Sequence, residues 1–337
     1  MLEGVQTLVN QTYPGVMLES EVQGWAYLQD YERGMDAYKK LRAPTAKDDR
    51  WLGECYFQLC EDFAASEQFY RSVDRGNDAS KMDLAFVLGF IGLPKEVKGL
   101  LDDIDVDKLQ PKDKVHYYRA SSFYEELNGN IQIALDYATE SWKLCRTSIS
   151  LKGRTLSRMG RLQAKVGRPD LSDWFYSQAL KETSEVENVK VVLQNVETQV
   201  LLGRFREALD RLESLENHQM PVSYLANQYQ DQGKISWHLY GVGSAFRPLE
   251  KGLQYALRAT TYYEELNIEI LLAVLRGYQG QFAVAKRHLA RVEFLARDKH
   301  DVLLFTFRKA ILSHWQGTCN PEDTVRTLQS VLSGYAE

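Results

Sequence analysis

The chain has 337 residues, 44% of them hydrophobic and 26% charged, with a formal net charge of −5 and a pI near 5.8. That balance fits a folded domain and argues against non-specific nucleic-acid binding. The four cysteines (Cys55, Cys60, Cys145 and Cys319) have no CxxC spacing, which argues against a zinc site or a disulfide framework and for a reducing compartment.

The N-terminal stretch MLEGVQTLVNQTYPG lacks the basic flank and long apolar run of a signal peptide. No segment approaches the roughly 18 apolar residues that a membrane span needs. The expectation is a cytoplasmic protein without a membrane partner. Residues 1–45 read as a degenerate helix pair, with Gly34, Tyr38 and Leu41 preceding Pro44.

The next unit is clearer: Leu52-Gly53-x-x-Tyr56 lies on one helix face, a turn follows near Cys60 to Asp62, and Ala65-x-x-x-Phe69 lies on a second helix. A small residue at a helix crossing, with large residues a turn away, is what close antiparallel packing requires. Asp103, Asp105 and Asp107 alternate like a calcium loop. Lys108 and Lys114 replace the required Gly and Glu, so that site is rejected. The helix pattern returns at Tyr117, Ala120 and Tyr124, with Ala134 and Ala138 after an Asn128-Gly129-Asn130 turn. It returns again at Leu156, Met159 and Gly160, with Ser172, Tyr176 and Ala179 after Gly167-Arg168-Pro169.

Val192 and Val196 then lead through Gly203-Arg204-Phe205 to Ala208 and Leu212. Segment 216–265 is irregular, and its GVGSAFRP run reads as a long turn between Tyr240 and Leu249. Tyr224, Tyr229, Trp237 and Tyr240 in this unit suit core packing or a hydrophobic pocket. Leu272 and Ala273 lead through Gly280-Gln281-Phe282 to Ala285 and Leu289. Residues 300–337 read as a capping pair, with Asn320 as N-cap, Pro321 in the first turn and a last helix to about Ser333.

A ruler runs through these units. Gly92, Gly129, Gly167 and Gly203 are separated by 37, 38 and 36 residues, and Gly280 and Gly317 by 37. A period in this range marks stacked repeats rather than a single globular core. The Leu52 to Phe69 unit and GRFREAL (203–209) resemble the tetratricopeptide repeat (TPR), whose motif is W-x2-L-G-x2-Y followed by A-x3-F. The longer period resembles the TPR-like arrays of bacterial regulators. The resemblance implies an all-α fold: an α-solenoid, a right-handed superhelix of about nine antiparallel helix pairs over 1–337. It also implies an interaction scaffold that holds a peptide or partner protein in its concave groove, lined by the first helices.

The sharpest local feature is electrostatic. Eight basic residues from Lys143 to Arg168, Arg146 among them, are uninterrupted by Asp or Glu. On one helix, Arg154, Arg158, Arg161 and Lys165 fall within an arc of about 60°. Two readings stand: a binding patch for an acidic peptide segment or other anion, or a solvated face partly neutralised by residues such as Glu197 and Asp170. Lys47, Arg50 and Lys190 fall on the groove side of their own helices and extend the patch.

No phosphate loop, dinucleotide motif, paired-histidine metal site or nucleophile–base pair is present in the sequence, so neither an enzyme nor a cofactor is expected. The alternative to a scaffold is a ligand- or peptide-sensing module of a regulator. Nucleic-acid binding through the basic helix ranks below both.

Overall fold

The structure, a computed structural model, describes residues 2–336 apart from positions 13, 29, 60, 61, 92, 146–148, 184, 216, 217, 219, 260, 261, 297 and 298. The described residues form nineteen α-helices joined by short connections. They fall into two compact units, Met1–Thr198 and Gln199–Glu337. Gly92, Arg146 and the turn at Cys60 and Glu61 lie outside the described residues.

The first unit begins with α1 (Leu2–Thr12), which packs on α2 (Glu21–Tyr27). Helix α2 pairs with α3 (Tyr31–Lys39), so the degenerate start carries an extra helix. Then follow α4 (Ala46–Gln58) with α5 (Asp62–Asp74), α6 (Ala79–Ile91) with α7 (Pro94–Asp102), α8 (Pro111–Leu127) with α9 (Ile131–Leu144), and α10 (Ile149–Lys165) with α11 (Pro169–Glu182). Helix α12 (Glu185–Leu201) closes the unit, and its last turn belongs to the second. Consecutive pairs stack: α5 packs on α6, α9 on α10, and the first helices α6 and α8 touch directly.

Caps set where these helices start. Thr45 and Asp48 form a capping box at α4, with Thr45 N–H donating to Asp48 Oδ2 at 2.9 Å. The turns inside the pairs are set by glycine. Gly167 has φ +77°, and Gly167 N–H and Arg168 N–H donate to the carbonyls of Ala164 and Gln163, closing the end of α10.

The pairs lock through a second set of glycines. A Cβ on Gly53 would stand 2.7 Å from the Phe69 ring, and one on Gly160 2.8 Å from the Tyr176 ring. Phe69 and Tyr176 are fully buried. Each knob lies sixteen residues after its hole, the separation of equivalent positions across one hairpin.

The second unit contains α13 (Phe205–Glu213), α14 (Val222–Tyr240), α15 (Val242–Ala259), α16 (Tyr262–Tyr278), α17 (Phe282–Leu295), α18 (Lys299–Trp315) and α19 (Pro321–Ala336). The long turn expected over GVGSAFRP is not there. Gly241 alone reverses the chain, with φ +91°, and α15 starts at Val242 and runs through Pro248. Leu249 fills the space over Gly233, again sixteen residues on, and Ala245, Leu249, Gly252 and Ala256 form one buried stripe. A proline inside a helix costs about 3 kcal/mol. Burying Leu249 alone returns roughly 1.5–3 kcal/mol, and the rest of the stripe adds to it.

The aromatic residues of this unit divide. Tyr224 is buried, and Trp237 packs on the core around Ala245 and Leu249. Tyr229 stacks on Tyr255 at 5.5 Å, and Tyr240 is exposed. Asn320 caps α19 as expected, its Oδ1 accepting from Glu322 N–H at 2.9 Å. Among the described residues no helix is long and apolar enough to cross a membrane.

Candidate binding groove

The first helices of residues 1–198 (α4, α6, α8, α10 and α12) turn polar and aromatic side chains toward one another. Helix α4 presents Arg50, Glu54 and Phe57; α6 presents Asp83 and Phe86; α8 presents His116, Arg119, Phe123 and Glu126. All of these except Phe123 and Glu126 line a cavity of about 480 Å³, walled also by Trp51 of α4 and Arg154 of α10.

The expected cations separate into two groups. Arg50 and Arg154 line the cavity, and so does Lys47 at its edge. Arg50 Nε lies 2.7 Å from Asp83 Oδ2, and His116 Nδ1 lies 3.1 Å from Asp83 Oδ1. Burial works against the Asp83 carboxylate, but Arg50 and His116 outweigh it and hold its pKa well below the usual range. Lys47 pairs with Glu19 at 2.7 Å near the surface.

Arg154 donates to Glu54 of α4 at 3.2 Å, across 100 positions of sequence. Lys190 of α12 donates to Gln58 of α4 at 3.4 Å and sits 5.1 Å above the Phe57 ring. Both contacts bridge from late first helices back to α4, so they draw the groove of this unit closed.

Arg158, Arg161 and Lys165 converge instead on Glu126, whose side chain is only 4% exposed. Arg161 Nε and Lys165 Nζ approach Glu126 Oε1 to 2.9 and 2.6 Å. Arg158 Nη2 lies 2.9 Å from Oε2 as a close ion pair, and its Nε donates to Ser122 at 2.9 Å. Burial opposes ionisation of Glu126, yet the three cations pull its pKa down to about 2. Burial pushes Arg158 down to about 10, which leaves it charged at neutral pH. Arg161 also reaches Glu197 at 2.9 Å. The neutralisation anticipated from Glu197 is therefore present, and the larger share comes from Glu126.

An aromatic ladder runs beside these charges. Phe57 and Phe86 meet edge to face at 5.7 Å, and Phe86 and Phe123 lie 5.1 Å apart. Each ring carries a cation on its face: Lys190 on Phe57, Arg119 on Phe86 at 5.2 Å, and Arg158 on Phe123 at 5.1 Å.

Sequence reasoning missed Glu126, Asp83, Arg119 and this ladder. A signal for Glu126 was available. Arg158 meets Ser122 36 residues back, and Arg161 meets Glu126 35 back and Glu197 36 ahead. Partners stand one repeat away, so the glycine period also locates charge partners.

The architecture of paired helices recurs in solved structures. The chain matches a Rap protein complexed with Competence and Sporulation Factor at a TM-score of 0.65 and 14% identity, over 99% of this chain and 88% of that one. The fold is TPR-like. The TPR-like likeness extends to the apo form of RapI (TM-score 0.51, 13% identity, 86% of each chain) and to the human IFIT1 dimer with PPP-AAAA (TM-score 0.51, 12% identity, 100% of this chain and 78% of that one). At these identities the likeness speaks to the fold alone. No protein-family model matches the chain, and no curated protein matches it.

Proposed function

We propose that this chain is a non-catalytic interaction module that takes a short peptide, or the end of a partner protein, into the groove of residues 1–198. The observation that carries this reading is the convergence of Arg50, Arg119, Arg154, Trp51, Phe57 and Phe86 on one cavity of about 480 Å³. That volume suits a few residues or a small ligand rather than a folded partner. Lys47, Arg50 and Arg154 frame the ligand in this reading. Arg158, Arg161 and Lys165 set the spacing of α8, α10 and α12 through Glu126 and Glu197. The fold-neighbours lend support, since one Rap structure holds Competence and Sporulation Factor and IFIT1 holds PPP-AAAA.

A second reading, a sensor, is favoured by one specific feature. The Arg154–Glu54 and Lys190–Gln58 contacts close α10 and α12 onto α4. A ligand that competes for Glu54 or Arg154 would shift this closure, and a differential affinity for the two arrangements is what a sensor requires.

The test is co-purification from native lysate with the wild-type chain, R154E, and R287E as a control on an exposed site of the second unit. Recovery should fall at least tenfold with R154E and stay unchanged with R287E, with melting curves confirming that both variants fold. Equal recovery with R154E and wild type would sink the groove reading.

A further inference from the structure

Three of the four acidic residues at the cavity are matched. Asp83 is taken by Arg50 and His116, Glu54 by Arg154 and by Gln58 at 2.8 Å, and Glu19 by Lys47. The fourth, Asp113, acts on Arg50. Arg119 stands apart. Its guanidinium lies over the Phe86 ring, and no carboxylate of the described residues comes within ion-pair distance of it.

Arg119 is only partly accessible. Burial, reinforced by the like charge of Arg154, pushes its pKa down to about 10. Glu54 and Asp83 act on it from across the cavity, but each is already committed elsewhere. A cation held away from water without a counterion is costly unless something supplies the negative charge. A planar guanidinium on an aromatic face keeps its in-plane N–H donors free, and that fork matches the two oxygens of a carboxylate or phosphate.

We propose that Arg119 is the anchor of an oxyanion subsite in this cavity: a carboxylate or phosphate group on the ligand accepts from the Arg119 fork while Phe86 holds the guanidinium from behind. This rests on the groove being the binding face, and it names the chemical class of ligand the groove takes. Asp83 and Glu54 sharpen the choice. Their negative charges repel an anion that strays from Arg119, so the subsite admits one oxyanion and not a run of acidic residues.

The experiment is thermal unfolding of the full chain with inorganic phosphate and with acetate, each compared with chloride at equal ionic strength, in wild type, R119M and R119K. Phosphate also stabilises proteins by exclusion from their surface, so the readout is the wild-type shift minus the R119M shift. At a probe concentration tenfold above its Kd the wild type should gain about 2–4 °C over R119M. R119K, which keeps the charge and loses the fork, should fall between them. A larger response to phosphate than to acetate assigns the ligand group as a phosphate, and the reverse assigns a carboxylate. R119M gives up a charge that has no ion-pair partner together with its cation–π contact on Phe86, and keeps an apolar chain over the ring, so its melting in chloride should stay close to that of the wild type. Equal oxyanion shifts in wild type and R119M, or no shift beyond chloride, overturn the proposal. If that happens while R154E still abolishes partner recovery, the subsite is wrong and the groove reading survives.

Discussion

Glu54 and Arg154 are 100 positions apart in the chain and 3.2 Å apart in space. The pair joins the first helices α4 and α10 directly across the groove, past the two intervening repeats. Both side chains keep about a fifth to a quarter of their exposure, so the pair is neither a surface ornament nor a fully buried charge. A contact of this kind holds the curvature of residues 1–198.

Removing one partner, as in R154A, should destabilise the protein by about 1–3 kcal/mol, between the values for exposed and buried pairs. In a double-mutant cycle with E54A, urea denaturation should give a coupling energy on the order of 1 kcal/mol. Amide exchange in α4 should rise in R154A. A coupling energy of zero removes the contact from the account of groove closure.

Glu126 makes acid stability predictable in sign. Its carboxyl is pulled from an ordinary 4.5 to about 2 by Arg158, Arg161 and Lys165, against burial. A depressed carboxyl stabilises the fold above its unfolded pKa, and that contribution is lost as pH falls through the folded value. Between pH 4.5 and pH 2, Glu126 should cost the protein on the order of 3 kcal/mol. E126Q should lose about 3 kcal/mol at pH 7, because it leaves the largely buried Arg158 without its carboxylate and takes one of two from Arg161, and should show a flatter profile in acid. Denaturation series at several pH values in both proteins check this.

Gly233 and Gly243 lie ten residues apart and should respond to alanine in opposite directions. A Cβ at Gly233 meets Leu249 at 2.5 Å, so G233A should cost about 1–3 kcal/mol through overpacking. At Gly243, inside α15, nothing lies within 4 Å, so G243A should be neutral to stabilising by up to about 1 kcal/mol. Melting temperatures decide it, and a strongly destabilised G243A would restore the long turn in place of the start of α15.

Tyr176 supplies a smaller test. Its hydroxyl lies 2.8 Å from Thr198 Oγ1 and donates to the Gln194 carbonyl at 3.2 Å, tying α11 to α12. Y176F keeps the ring that fills the space over Gly160 and should cost about 1 kcal/mol, read from the urea midpoint at constant m-value.

Much of this architecture was legible in the residues. The periodic glycines marked turns because a turn that needs positive φ admits few other residues, as at Gly167. The same reasoning failed at GVGSAFRP, where two glycines and a proline within eight residues resemble a loop. The better signal was the spacing of Ala245, Leu249, Gly252 and Ala256, which is helical and faces one side. The basic ridge was legible as an arc on α10, since that follows from helix geometry alone. Its partners were not read, because an arc says nothing about which neighbouring helix it meets. Those one period away were recoverable by counting. The link from Arg154 to Glu54 was not, because it depends on how tightly several repeats curl, and small rotations at every hairpin add up to set that.

The ladder of Phe57, Phe86 and Phe123 has a bearing on behaviour in strong acid. Carboxylates such as Glu126 gain protons there and release their cations. A phenyl ring has no proton to gain, so Lys190, Arg119 and Arg158 keep their seats on its face. The inner side of residues 1–198 thus changes from a balanced lattice of charges to a row of cations mounted on hydrocarbon, and its attraction for anions grows as the solution around it acidifies.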